Sequence, residues 1–280
     1  MPLPPFNAAA VTEPSFTFSA SSLQDYTDCP RRFQLRYLHQ VVWPAAETEP
    51  IRETETRQRE ALVFHRLVQQ HLLGLPADTL APMANSPDLA RWWHNYAACG
   101  LNFEGSQLCT ESKLALHVGP HRLVAKYDLL ALKGKRAVIY DWKTHARRPR
   151  NEYLASRWQT RVYRGMLVRA GSELNTGKPF EPENISMVYW FADFPTEPAE
   201  FAYDAQQFKR DWSAIESYLG EISRAQEFPL TEDRKQCRFC VYRSLCDRGE
   251  RAGPLQEADD QSSDISPFDL DFEQVGEMEF

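Results

Sequence analysis

The chain has 280 residues, of which 42% are apolar and 25% are charged, a composition typical of a soluble globular protein with one large domain or two small ones. Nowhere do 18 apolar residues follow one another, which excludes a predicted membrane-spanning helix. The first ten residues contain neither a basic residue nor a sustained apolar stretch. We therefore expect that they do not form a secretory signal and that the protein is cytoplasmic.

The N-terminal third is predicted to be helical after a loosely ordered start. Residues 1–18 are rich in proline and alanine, and we expect little fixed structure there. Ser21 or Ser22 is expected to cap a short helix, since serine oxygens accept hydrogen bonds from the free amides of a helix start. Apolar spacing then predicts helices at residues 31–38, 55–73 and 87–98, the first with Pro30 in its opening turn.

The centre of the chain alternates apolar and polar residues, which predicts strands at residues 110–118, 121–132 and 136–142. Turn residues separate them, so the three strands form an antiparallel meander. A helix at 153–169, strands at 185–191 and 200–203, and a long helix capped by Asp204 complete the prediction. Helices flanking a small mixed sheet indicate an α/β or α+β fold class.

The last strand of the meander ends in Asp141-Trp142-Lys143. Successive strand side chains point to opposite faces, so Asp141 and Lys143 share one face and Trp142 takes the other. If Asp128 in the preceding strand reaches the same face, two carboxylates and an ammonium group converge. Such a group suits Mg²⁺ or Mn²⁺ and a water for phosphodiester cleavage. The alternative is an exposed ion pair that contributes about 0 to 1 kcal/mol.

Further polar residues precede and follow this triplet in a fixed order. His65 lies on a predicted helix, Glu111 lies on the first strand of the meander, and Gln159 and Tyr163 lie one turn apart on the following helix. Glu111 is placed to bind a metal through water. The order of these residues resembles the PD-(D/E)XK nuclease superfamily, and in particular its RecB-like branch.

The resemblance covers residues 19 to about 247 and implies a restriction-endonuclease-like core. It implies that Asp128 and Asp141 hold the metal, that His65 adds a ligand, and that Lys143 orients the nucleophile and offsets negative charge on the phosphate. It also places Gln159 and Tyr163 in the catalytic site. An imidazole ligand favours Mn²⁺ over Mg²⁺.

Two positions depart from the family pattern. Members usually carry glycine where this chain has Ala61, four residues before the histidine, and glycine shortly before the first acid, where it has Ala125-Lys126-Tyr127. Neither change removes a ligand. We therefore expect an active enzyme, with a catalytically inactive DNA-binding module as the alternative.

Four of the six cysteines form a second pattern. Cys237, Cys240 and Cys246 are clustered, whereas Cys29 lies far away in sequence. Cytoplasmic thiols stay reduced, which favours a metal site over disulfides, and the spacing suits zinc as well as iron. The arrangement resembles RecB-like nucleases with a 4Fe–4S cluster, such as the AddB nuclease subunit and CRISPR-associated RecB-like exonucleases. It implies that these four cysteines hold such a cluster, which would join both ends of the domain and contribute on the order of 5 kcal/mol.

Residues 252–280 contain nine acidic residues and no lysine or arginine. Removing these nine charges from the total of −7 leaves +2 for residues 1–251, so the body is mildly basic. A disordered, solubilising tail is the simplest prediction. Alternatively, residues 264–268 resemble the acidic, Pro-Phe-ended tails with which single-stranded-DNA-binding proteins dock partners, or the tail competes with DNA.

The combined prediction is a nuclease domain at residues 19–251 between a loose N-terminal segment and the acidic tail. We expect a metal-dependent deoxyribonuclease that acts as an exonuclease or flap nuclease on single-stranded DNA, in repair, recombination or CRISPR adaptation. Residues typical of a phosphate-binding P-loop are absent, so helicase activity would come from a partner, and a single-stranded-DNA-binding protein is a further expected partner. A zinc-stapled scaffold for protein interaction is the remaining alternative.

Overall fold

The computed structural model describes residues 16–41, 49–238 and 240–249. Most of the predicted N-terminal segment and the whole acidic tail lie outside these residues. Among the described helices, none is both long and apolar enough to cross a bilayer.

A six-stranded mixed sheet lies at the centre of the described chain. β2, β3 and β4 form the predicted antiparallel meander, β5 pairs parallel to β4, and β6 pairs antiparallel to β5. This sheet and its flanking helices confirm the predicted fold class. The strands are β1 Thr17–Phe18, β2 Gln107–Val118, β3 His121–Lys133, β4 Arg136–Lys143, β5 Ile185–Phe191 and β6 Phe194–Ala202.

Helices cover both faces of the sheet. α1, α7 and α8 pack on one face, and α3 and α5 pack on the other. The larger helices are amphipathic, so each buries its apolar stripe against the strands. The helices are α1 Ala20–Asp28, α2 Pro30–Phe33 with a π-helical turn at Gln34–Leu38, α3 Glu49–Leu72, α4 Ala77–Leu80, α5 Pro87–Ala98, α6 Asn151–Ser156, α7 Trp158–Ala170 and α8 Ala205–Arg224.

β3 changes partner along its length. Phe18 of β1 and Leu116 of β2 both pair with Leu123, so these two strands lie on opposite sides of β3. Further along, β4 occupies the side that β1 holds at the start, and its ladder with β3 extends to the pair Leu129 and Tyr140. β3 and β4 therefore diverge beyond this pair, which opens a fork in the sheet.

Several element boundaries differ from the prediction. The first helix is capped by Ser19, not by Ser21 or Ser22, and Ser22 completes a reciprocal capping box with it. The predicted helix at 153–169 is two helices, because Arg157 is extended with φ −65° and ψ 144°. β6 begins at Phe194, six residues earlier than predicted, and includes two prolines, which an edge strand tolerates.

The start of the domain also lies earlier than predicted. Thr17–Phe18 pairs with β3. Phe18 is fully buried in the core between the sheet and helices α1, α7 and α8, here called the main core. Helix α3 begins at Glu49 instead of about residue 55, whereas its end agrees with the prediction. Gly74 stops it with a positive φ of 103°, a conformation that glycine adopts without strain.

A buried ionic network fixes the N-terminal helices. Asp25 is 5% exposed, and its carboxylate lies 2.7 Å from the Arg32 Nε atom and 2.7 Å from an Arg36 guanidinium nitrogen. Burial opposes ionisation of Asp25, but the two arginines outweigh it and hold its pKa below the usual range. Asp28 pairs with Arg32 as well, at 2.8 Å. The network therefore depends on a carboxylate that stays ionised.

Asp25→Asn is expected to reduce the free energy of unfolding by about 3 kcal/mol near neutral pH, because two buried guanidinium groups lose their carboxylate. The folded pKa of Asp25 is lowered, so this contribution is present above the unfolded pKa, about 4, and is lost as the pH falls through the folded value. Urea unfolding at several pH values checks both points. Asp78→Asn, at an exposed carboxylate, is the control, and a difference from wild type that stays constant down to low pH would contradict the assignment.

Candidate functional site

The side chains of β4 divide between the two faces as the alternation predicts. Trp142 packs into the core beneath α3 and α5, where its ring lies 6.0 Å from that of Trp190. Asp141 and Lys143 point to the opposite face and are 4% and 6% exposed. Two opposite charges are thus buried side by side at the end of a central strand.

Gln159 of α7 joins these two charges into a closed ring of contacts. Its Nε2 donates to Asp141 Oδ1 at 2.7 Å, and its Oε1 accepts from Lys143 Nζ at 2.8 Å. Lys143 Nζ in turn lies 2.9 Å from Asp141 Oδ2. α7 begins directly after the extended Arg157, which places Gln159 in its first turn. The ring fixes the orientation of both charged side chains against one helix.

Asp128 lies in the fork between β3 and β4. By register it is opposite Asp141, one step beyond the last ladder pair. Its Oδ2 accepts the backbone N–H of Trp142 at 2.9 Å, so a side chain replaces the missing ladder bond. The same oxygen lies 3.3 Å from His65 Nδ1 on α3. The fork therefore brings together one group from each side of the sheet.

The charges in this cluster perturb one another. Burial raises the pKa of Asp141 to about 7; Lys143 opposes the rise and Asp128 adds to it. Burial also disfavours charge on Asp128 and His65, but their mutual attraction outweighs it, so the pKa of Asp128 is lowered and that of His65 is raised. The positive charges nearby thus stabilise the ionised form of Asp141 less than burial and Asp128 destabilise it.

These residues fit a divalent cation in their chemistry. The buried Asp141 and the partly buried Asp128 offer carboxylate oxygens of the kind that Mg²⁺ and Mn²⁺ bind, and a cation would relieve the repulsion between them. Within the described part of the chain, no three His, Cys, Asp or Glu side chains are arranged as a complete metal-binding group. Mg²⁺ commonly takes one or two carboxylates and completes its shell with water, so two donors suffice.

A sequence model of the PD-(D/E)XK nuclease superfamily matches residues 17–247. The chain belongs to this superfamily. Among solved structures, SSO0001 is similar over 83% of this chain and 86% of its own, with 14% identity and a TM-score of 0.40. A protein from Eubacterium rectale described as a "putative exonuclease" is similar over 83% of this chain and 91% of its own, with 11% identity and a TM-score of 0.48. No curated protein sequence matches the chain.

The superfamily match confirms the predicted nuclease fold, and nucleases of this superfamily typically use Mg²⁺ or Mn²⁺. Both structural neighbours have TM-scores below 0.5, so the assignment rests on the sequence match. The superfamily match does not confirm the RecB-like branch or the iron–sulfur cluster, and both stay predictions.

Two predicted site residues of the nuclease have other contacts. Tyr163 is buried in the main core, where its ring lies 5.1 Å from that of Tyr127 and its backbone carbonyl accepts the Tyr127 hydroxyl. Glu111 forms an ion pair with Lys126 and has a positive φ of 52°, at the point where its register partner would be Asp128. This strained backbone conformation interrupts the β2–β3 ladder beside the fork. The catalytic role of Tyr163 and the metal role of Glu111 stay predictions.

The two alanines that depart from the family pattern differ in burial. Ala125 is 2% exposed in the main core, where it pairs with Leu114 of β2. Ala61 is partly buried on α3, one turn before His65. A methyl group is accommodated at both positions.

A clamp missed by the sequence analysis connects α3 to the end of β4. Arg57 donates through Nε to the carbonyl of Thr144, directly after Lys143, and lies 2.6 Å from Asp193 Oδ2. Asp193 Oδ1 also accepts from Arg91 Nε and Trp92 Nε1, both at 2.9 Å. Asp193 lies in the β5–β6 hairpin, where an aspartate is an ordinary turn residue. Its sequence context therefore carries no signal of this role.

The four cysteines of the predicted cluster border one small cavity. Cys29 follows α1, and the other three come from the C-terminal segment of the described chain. Burial raises the pKa of Cys246 to about 11, and charge on the Cys240, Cys29 and Cys237 thiolates adds to the rise. A thiolate-bound metal would relieve that repulsion, so the donor set fits one. Within the described residues the thiols are not closed into a metal-binding group, and the geometry does not support the 4Fe–4S cluster specifically.

Asp193→Ala is expected to lower the free energy of unfolding by about 2 kcal/mol, because two guanidinium groups and an indole N–H lose their acceptor. Asp193→Asn keeps an acceptor for Trp92 Nε1 and is expected to cost less. Urea denaturation of the three proteins measures the difference. Equal stability of Asp193→Ala and wild type would show that the clamp contributes nothing.

Proposed function

We propose that this nuclease is a metal-dependent deoxyribonuclease that cuts single-stranded DNA or free DNA ends. The observation that supports the proposal is the closed ring of Asp141, Gln159 and Lys143 beside Asp128 in the fork of the sheet. A structural ion pair needs neither a second carboxylate nor a glutamine side-chain amide that contacts both of its partners. The arrangement suits a site that holds a positive charge beside a phosphate.

Each residue has a distinct task in this proposal. Asp128 and Asp141 would hold the cation, and His65, whose Nδ1 lies 3.3 Å from Asp128 Oδ2, would add a ligand from α3. Mg²⁺ or Mn²⁺ bound by these residues would lower the pKa of a coordinated water and offset charge on the phosphate. Gln159 fixes the Lys143 ammonium, which is held ready to offset the negative charge that develops on the phosphate oxygens. Hydrolysis joins the oxygen of a water to phosphorus and breaks one phosphorus–oxygen ester bond; the water loses a proton and the leaving oxygen gains one, which yields a phosphate monoester and a hydroxyl end.

The biological setting belongs to the same proposal. Repair, recombination and CRISPR adaptation all require processing of DNA ends, and a helicase or a single-stranded-DNA-binding protein would supply the strand. The mildly basic body of the chain is compatible with a polyanionic substrate.

Lys143→Ala and Asp141→Ala are each expected to reduce cleavage by about 10² to 10³ fold, because each removes a charge placed for the reacting phosphate. End-labelled single- and double-stranded DNA incubated with Mg²⁺ or Mn²⁺ measures the rates. Glu152→Ala, at an exposed carboxylate in α6, is the matched control and should cut like wild type. Equal rates in all four proteins would overturn the nuclease site, and no cleavage by the wild type would favour an inactive DNA-binding module.

We further propose that Cys29, Cys237, Cys240 and Cys246 hold a 4Fe–4S cluster as a structural staple. Their shared cavity, formed by both ends of the domain, supports a thiolate-bound metal. The resemblance to RecB-like nucleases that carry a 4Fe–4S cluster favours iron. Zinc is the alternative, since four thiolates suit either metal.

Protein purified without oxygen is expected to be brown, with absorption near ~400 nm that Cys240→Ser abolishes. Cys240→Ser should also lower the melting temperature, since the staple joins both ends of the domain. Cys109→Ser, outside the cavity, is the control for loss of a thiol. A colourless protein with stoichiometric zinc would replace iron by zinc, and a protein without bound metal would remove the staple.

A further inference from the structure

The chain between Lys143 and Gln159 leaves the fork and returns to it. It starts at the end of β4, passes through α6 and re-enters the ring of contacts in the first turn of α7. Residues 143–164 contain seven lysine and arginine residues and a single acidic residue, Glu152. This positive segment therefore begins in the ring of contacts at Lys143 and passes through it again at Gln159.

Three of its arginines are used inside the fold. Arg161 and Arg164 pair with the buried Asp211. Arg157 is 8% exposed and donates to the Tyr153 hydroxyl. These contacts account for the C-terminal half of the segment. They leave residues 144–150, here called the basic loop, of which Ala146, Arg147 and Arg150 are exposed.

The basic loop is anchored by one of its own arginines. Arg148 donates to the carbonyls of Glu197 and Pro149 and to the side chain of Asn151, and its guanidinium lies 5.4 Å from the Phe191 ring centroid. Arg57 holds the start of the loop through the Thr144 carbonyl. Arg148 thus serves the fold, and the backbone around it is fixed.

Arg147 and Arg150 flank this anchor and are exposed to solvent. Among the described residues, neither forms an ion pair with a carboxylate. Arg147 is four residues from Lys143, so its Cα lies within about 14 Å of the Lys143 Cα. Guanidinium groups bind phosphate oxygens in a bidentate fashion, and two of them on a fixed loop make a backbone-reading surface.

We propose that Arg147 and Arg150 of the basic loop bind the phosphate backbone of the DNA strand that enters the fork. The inference rests on the proposed function and adds the surface that holds the substrate outside the reacting centre. Such contacts are independent of base sequence and depend on salt, because phosphate neutralisation releases counterions.

The test compares binding of a fluorescein-labelled oligothymidylate by wild type and by Arg147→Ala/Arg150→Ala, in EDTA so that cleavage does not compete. Loss of two phosphate contacts is expected to reduce the magnitude of the negative slope of log K against log salt by about 1.4, and to reduce the affinity by roughly 25-fold at 0.1 M salt. Arg147→Lys/Arg150→Lys keeps both charges and should restore most of the slope.

The control is Lys135→Ala/Arg136→Ala, which removes two exposed charges from the β3–β4 turn at the opposite end of the same strand. It should bind almost like wild type. Equal losses in both double-alanine variants, an unchanged slope, or failure of the lysine variant to restore binding would overturn the proposal. Lack of cleavage by wild type with Mg²⁺ or Mn²⁺ would instead refute the proposed function, while the binding comparison would still decide the role of the loop.

Discussion

The divergence of β3 and β4 after the pair Leu129 and Tyr140 is the constraint on which the site depends. A fork in a buried sheet leaves backbone amides without ladder partners, and such groups are costly unless a polar group satisfies them. Asp128 satisfies one of them by accepting the Trp142 N–H. The carboxylate of Asp128 thus serves the hydrogen bonding of the fold itself, and in the proposed nuclease the same carboxylate would hold the cation.

Buried charges at this fork require compensation, and the helices on the two faces provide it. α3 contributes His65 to Asp128, and α7 contributes Gln159 to Asp141 and Lys143. Displacing either helix would leave a buried charge unpaired. Unpaired charges in the interior are strongly destabilising, so both helices are held in place. The Arg57 clamp adds a second attachment of α3 to the end of β4. The contacts that compensate the buried charges are therefore the same contacts that position the side chains of the site.

Direct hydrogen bonds join the two ends of the domain. The Tyr26 hydroxyl donates to Glu221 of α8, the Arg31 amide donates to the Pro229 carbonyl, and the Tyr242 hydroxyl donates to the Val41 carbonyl. These contacts bring Cys29 to the same cavity as the late cysteines. This junction explains how cysteines so far apart in sequence come to share one cavity. A thiolate-bound metal would strengthen it.

The sequence by itself determined the meander, the superfamily, and the placement of Asp141 and Lys143 on the face opposite Trp142. Strand alternation, turn residues and the order of the motif residues can all be read directly along the chain. It did not determine the bounds of α6 and α7, since the extended Arg157 between them interrupts an apolar pattern that continues on both sides. It also gave no sign of the Arg57 clamp, whose partners are distant in sequence and ordinary in local context. Only the tertiary structure decided which carboxylate satisfies the fork, that Tyr163 packs in the core on Tyr127, and which arginines are left at the surface, because each depends on the partners that folding brings together.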